Sequence, residues 1–222
     1  MVPSSVLSFL LPLALVSGRP VPDADAGFLS FARQTTSCAE YIVIFARGTS
    51  ETGTLGSIVG PPLQSALESL VGASNVNVTG VSYDADVAGF LEGGDSTGST
   101  TMADMVTEAV ADCPDSNVVM SGYRSLTFHP TYSQGAQLVH NAASQISADT
   151  ASQVSSAVTF GDPDNPDAVA QIDKQKIYCA SGDNICEGGV IISTAHLSYG
   201  SNASDAADFI VSSATSARKE KK

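Results

Sequence analysis

Positive charge is scarce in this chain: 10 Lys and Arg stand against 23 Asp and Glu, a formal net charge of −13 over 222 residues. That balance excludes a nucleic-acid partner, because a phosphate backbone calls for a basic face. The one basic run, Arg218 to Lys222, is a tail expected to fray. No apolar run reaches the roughly 20 residues that span a bilayer, so stable membrane insertion is not expected. The stretch from Val6 to Val16, followed by the small residues Ser17 and Gly18, instead reads as the core of a secretory signal peptide over residues 1–18. Residues 19–36 are polar, Pro-containing and without periodicity, as in a pro-segment or loose arm. No cysteine sits in a C-x-x-C pair and none has a histidine at ligand spacing, which argues against a zinc site. Internal repeats and low-complexity tracts are also missing.

What remains is a chain with 43% hydrophobic residues, enough for one core. A single catalytic domain over 37–217 is the expectation. Four cysteines, Cys38, Cys113, Cys179 and Cys186, are an even count that favours two disulfides in an oxidising compartment. Three pairings are open, of which Cys179 with Cys186 would close a short loop. Asn77-Val78-Thr79 and Asn202-Ala203-Ser204 are glycosylation sequons.

Five β-rich runs, 41–46, 76–83, 118–123, 157–160 and 176–180, alternate with segments of helical period at 62–71, 100–112, 133–146 and 205–217. Such alternation predicts an α/β fold with a parallel sheet. Ligands of open parallel sheets bind outside the carboxyl ends of the strands. Those ends carry Arg47-Gly48-Thr49, the region of Ser133, Asp162, and Ser181-Gly182-Asp183.

Nucleophilic acyl transfer needs a hydroxyl on a sharp strand-to-helix turn, with glycines on either side to avoid steric clash. Tyr132-Ser133-Gln134-Gly135 supplies half of this pattern, but Thr131 stands where the first glycine belongs. Removing nine residues, Arg124 to Tyr132, leaves Gly-Tyr-Ser-Gln-Gly without a seam. On its own Ser133 reads better as a helix N-cap, the commonest job of a serine there. The order for this chemistry is Ser, acid, His, and only three histidines compete for the last place. His140 lies seven residues into the helix that Ser133 opens, about 10 Å along its axis, so it reads as a core or surface residue. His129 has no orienting partner in its own segment. His196 is left as the base. Asp183 lies between Cys179 and Cys186 and is the preferred orienting acid, because a disulfide there would pin the carboxylate that has to fix an imidazole tautomer. Asp162 is the second choice, its Gly161 and Pro163 neighbours suiting a plain loop. Thr49 and the N–H of Gln134 are candidate oxyanion donors.

Taken together, Ala46-Arg47-Gly48-Thr49-Ser50-Glu51, Tyr132-Ser133-Gln134-Gly135-Ala136, Ser181-Gly182-Asp183-Asn184-Ile185-Cys186 and His196-Leu197-Ser198-Tyr199-Gly200 make the chain from Cys38 to about Ile210 resemble the cutinases. The resemblance implies a lidless α/β-hydrolase, a three-layer sandwich about a mostly parallel five-stranded sheet. It implies a secreted, monomeric enzyme that needs no cofactor and cleaves esters of the plant polyester cutin and soluble short-chain esters. It also implies Ser133 as nucleophile, Asp183 as acid, His196 as base, Thr49 with Gln134 as oxyanion hole, and disulfides Cys38–Cys113 and Cys179–Cys186. The departure is the insert 124–132, which separates Gly122-Tyr123 from Ser133. A loop of that length is expected to lose the tight turn and impair catalysis, since about 1 Å of misplacement can cost roughly a hundredfold. The seamless motif left by its removal points to retained intron sequence, which the transcript tests. An acetylxylan esterase with the same three residues is the rival reading; apolar Phe90, Leu91, Val190, Ile191 and Leu197 near the expected rim favour acyl chains.

Overall fold

A computed structural model describes residues 38–86, 93–124, 134–189 and 193–220, with side chains up to residue 214. The expected signal peptide, the arm 19–36, Ser133, His129 and the insert beyond Arg124 lie outside the described residues.

Strand β1 (Tyr41–Ala46) is buried at all six positions, and β3 (Asn117–Tyr123) and β4 (Val154–Phe160) at all seven. Unbroken burial replaces the usual in-out alternation because helices cover both faces of a parallel sheet. The sheet runs β2-β1-β3-β4-β5, with β2 (Val76–Gly80) and β5 (Gln175–Tyr178) at its edges and every neighbouring pair parallel. In β1 and β3 the register pairs Tyr41 with Asn117 and Ala46 with Gly122.

Alternate strand residues face opposite layers. Ile42, Ile44 and Met120 meet Met102 and Val106 of α2 (Ser96–Asp112) and Leu138 and Ala142 of α3 (Gly135–Gln145). Val43, Phe45, Val119 and Val158 meet Leu63 and Leu67 of α1 (Gly60–Val71) and Ala206 and Ile210 of a long C-terminal helix. Each fully buried leucine stabilises by about 2 kcal/mol. A one-turn helix α4 (Ala148–Ala151) precedes β4, and the C-terminal helix is α5 (Ala203–Glu220). The result is the expected three-layer α/β sandwich.

Several boundaries differ from the sequence expectation. Helix α2 starts four residues before Thr100, because the Asp95 carboxylate accepts the Gly98 N–H at 2.5 Å and caps it. Strand β2 ends at Gly80 rather than at Tyr83: a side chain on Gly80 would meet the Thr54 carbonyl, and Tyr83 turns its hydroxyl to the Arg47 carbonyl. Strand β4 begins at Val154, three residues before the expected 157, and β5 spans Gln175–Tyr178 instead of 176–180. Helix α5 continues to Glu220, into the basic run expected to fray. No helix among the described residues is long and apolar enough to cross a membrane.

Candidate active site

The chain leaves β1 toward one edge and returns to place β3 on the other side of it, so the strand order reverses between β1 and β3. The crevice at such a reversal, at the carboxyl ends, is where this architecture binds ligands. The segments after β1 and β3 meet there closely. A Cβ on Gly135 would lie 2.3 Å from the Ala46 carbonyl oxygen, 2.4 Å from that of Tyr123 and 2.6 Å from that of Arg47. A Cβ on Gly122 would lie 2.1 Å from the Gly135 oxygen. Only glycine fits at either place, and the two ends of the excursion from Arg124 to Gln134 therefore touch.

Asp183 and His196 are brought together with no exposed surface on either side chain. Imidazole Nδ1 lies 2.8 Å from Asp183 Oδ2. The same oxygen accepts the Tyr199 hydroxyl at 2.5 Å, while Oδ1 accepts the Ile185 N–H at 3.1 Å. Burial pushes the Asp183 carboxyl up, but the bonds from His196 and Tyr199, the His196 charge and the Ile185 N–H outweigh it and hold the group below the usual carboxylate range. Tyr199 is moved up, by burial and then by its bond to Asp183. The Ala180 N–H donates to the Tyr199 oxygen at 2.9 Å, fixing the phenol. His196 sits in a 3-10 turn, Thr194–Leu197, whose carbonyl at His196 accepts the Tyr123 hydroxyl at 3.2 Å. Its ring stacks on Tyr123 with centroids 6.1 Å apart and meets Tyr199 edge-on at 5.9 Å. Nε2 is buried and has no hydrogen-bond partner among the described residues. The imidazole is thus anchored at one nitrogen and presents the other.

Thr49 is fully buried, and its hydroxyl oxygen likewise has no partner among the described residues. Its loop is built on Glu51, whose carboxylate accepts the N–H groups of Gly48 (2.8 Å), Ser57 (2.9 Å) and Ile58 (3.0 Å). Arg47 ties the same loop down, donating to the carbonyls of Glu51 at 2.9 Å and Tyr83 at 2.8 Å. Ser50 takes a left-handed φ of 63° and donates its N–H to Ala85 at 3.1 Å. Gln134 is buried at the start of α3; its side chain donates to the Asp86 carbonyl and accepts the Asp95 N–H at 3.0 Å. Both disulfides form, Cys38–Cys113 and Cys179–Cys186, the second closing the loop that carries Asp183.

Arg124 follows Tyr123 directly, where the shorter motif would have its serine. Its N–H donates to Phe160 at 3.1 Å and its side chain is buried. Burial lowers the guanidinium to about 10 against the opposing pull of Asp183, Asp162 and Asp164. Of the apolar rim residues, Phe90, Leu91, Val190 and Ile191 lie outside the described residues, and Leu197, beside His196, is 43% exposed. Tyr199 and Glu51 are supporting residues that sequence reasoning left without a role.

A family model for cutinase matches residues 37–214. This chain belongs to the cutinase family, and with it to the carboxylic ester hydrolases. A cutinase of Botryotinia fuckeliana is 49% identical over 205 residues, covering 91% of this chain and 92% of the relative. Among solved structures, Trichoderma reesei cutinase in complex with a C11Y4 phosphonate inhibitor superposes with a TM-score of 0.72 at 39% identity, covering 80% of this chain and 77% of that one. An acetyl xylan esterase shares the fold at a TM-score of 0.62 and 20% identity, covering 80% and all of its own chain.

Proposed function

We propose that this cutinase-family chain is a secreted esterase that cleaves cutin and short-chain esters through an acyl-enzyme. Ser133 attacks the ester carbonyl, His196 takes its proton at Nε2 and returns it to the leaving alcohol, and water then releases the acid. Asp183 holds the imidazole tautomer and stabilises the imidazolium. The N–H groups of Thr49 and Gln134 face the oxyanion, each worth about 3 kcal/mol where comparable donors have been removed. The observation that carries the reading is the buried His196, bonded through Nδ1 to an ionised Asp183, with an Nε2 that has no hydrogen-bond partner among the described residues. No metal or redox group enters the scheme.

The insert sets the level of activity. Gly122 and Gly135, on either side of the insert, already pack against each other, which favours a tight turn once 124–132 are removed. The test is stoichiometric labelling by a serine-directed phosphonate, with turnover of p-nitrophenyl butyrate against acetylated xylan. Weak or no labelling of the full chain, full labelling of Ser133 after the deletion and preference for the butyrate are expected. Labelling in neither form would refute the esterase, and a preference for xylan would move the assignment to acetylxylan esterase. Equal labelling would show that the split turn works as it stands.

A further inference from the structure

A second aspartate–histidine pair lies beside the first, made of the histidine that the sequence reads as a core or surface residue and the second-choice acid. His140, in the second turn of α3, places Nε2 3.0 Å from Oδ2 of the fully buried Asp162. The other oxygen of Asp162 accepts the Asp164 N–H at 3.0 Å, so one carboxylate both closes the turn after β4 and ties it to α3. Gly161, at the head of that turn, has φ +61° and donates its N–H to Tyr178 at 2.9 Å. A Cβ there would come within 2.7 Å of His196 Cε1, 3.1 Å of His196 Nδ1 and 2.9 Å of Tyr199 Cε2. The turn is therefore the surface on which the His196 ring rests. Its position follows from what holds Asp162.

We propose that His140 is a positioning residue for the His196 imidazole: through Asp162 it fixes the turn 161–164 to the helix that begins one residue after Gln134. One contact chain then runs from the helix following Ser133, through His140, Asp162 and Gly161, to the ring of the base. The charges around the pair favour the protonated imidazole. Burial alone would lower the His140 imidazole, yet the bond to Asp162 and the charges of Asp162, Asp164 and Asp167 raise it above the usual histidine range. The Arg124 cation also faces Asp162 and Asp164.

The inference rests on His196 being the base, and its test separates the two. In the full chain, the nitrogen and Cε1–H resonances of His196 are followed by NMR through a pH titration, and the phosphonate labelling rate is read in parallel. In His140→Ala the His196 titration midpoint is expected to move from the wild-type value, and labelling to slow about tenfold, less than the roughly hundredfold cost of a full 1 Å displacement. His140→Gln keeps an N–H donor at similar reach and restores both. An unmoved His196 titration in His140→Ala would overturn the proposal, as would a Gln variant that fails to recover it. If neither wild type nor the chain lacking 124–132 labels, the esterase reading has failed, and the His196 resonances still decide this one.

Discussion

Asp183 spends both oxygens on the protein, one on the Ile185 N–H and one shared between His196 and the Tyr199 hydroxyl. A buried carboxylate with three donors stays ionised, which is the condition for holding imidazolium beside it. Tyr199→Phe removes one donor without emptying the space. A hydrogen bond to a charged group contributes about 2 kcal/mol, and that loss is expected near pH 7. The sign of its pH dependence follows from the depressed Asp183 value. Stability from a carboxyl held low in the fold is present above its unfolded pKa and vanishes as pH falls through the folded one. Urea unfolding should therefore show a gap between wild type and Tyr199→Phe that narrows from about pH 7 toward about pH 3. A gap that widens on acidification would show that the phenol does not act through the carboxylate.

At the scale of elements, the junction of β1, β3 and α3 has the least slack. A methyl on Gly135 meets three backbone oxygens within 2.6 Å, and backbone cannot rotate aside as a side chain can. Gly135→Ala is expected to cost about 3 kcal/mol or more, lowering Tm by roughly 6–12 °C for a chain of this size. Gly53→Ala, with a φ of +69° but open space around it, should cost only about 1 kcal/mol of backbone strain. Equal losses in the two, measured by thermal unfolding, would mean that the junction yields. The same junction separates what was legible in the sequence from what was not. Strands buried on both faces leave continuous apolar runs, so 41–46 and 118–123 could be read to within a residue. The start of α2 could not, because Ser96-Thr97-Gly98-Ser99 has poor helix propensity and is held by the Asp95 cap and by Gly98 packing on Tyr83 and Leu138. The pairing of Asp183 with His196 followed from chain order and the scarcity of histidine. Glu51, Tyr199 and the His140–Asp162 pair act through contacts whose geometry leaves no local trace, and only the folded chain shows them.

For the molecule as a whole, the two disulfides have separable consequences. Cys38–Cys113 joins the lead-in to β1 to the end of α2 across 75 residues, whereas Cys179–Cys186 spans 7. Loop-closure entropy assigns the long closure about 4.5 kcal/mol and the short one about 2.4 kcal/mol. Distance from the orienting acid runs the other way, since the short loop presents Asp183 and the long one holds neither Asp183 nor His196. Replacing Cys38 and Cys113 by alanine should take several kcal/mol from unfolding stability in urea while leaving activity at low temperature within about twofold, because that link joins neither Asp183 nor His196. Replacing Cys179 and Cys186 should cost less stability and more turnover, with kcat falling further than KM rises, as the carboxylate gains freedom its imidazole partner needs it not to have. Both pairs are compared in one background, by urea unfolding and by ester hydrolysis at a temperature where each variant is folded. If the long-range pair proved the one that governs turnover, the orienting acid would depend on the packing of the whole domain rather than on its own loop.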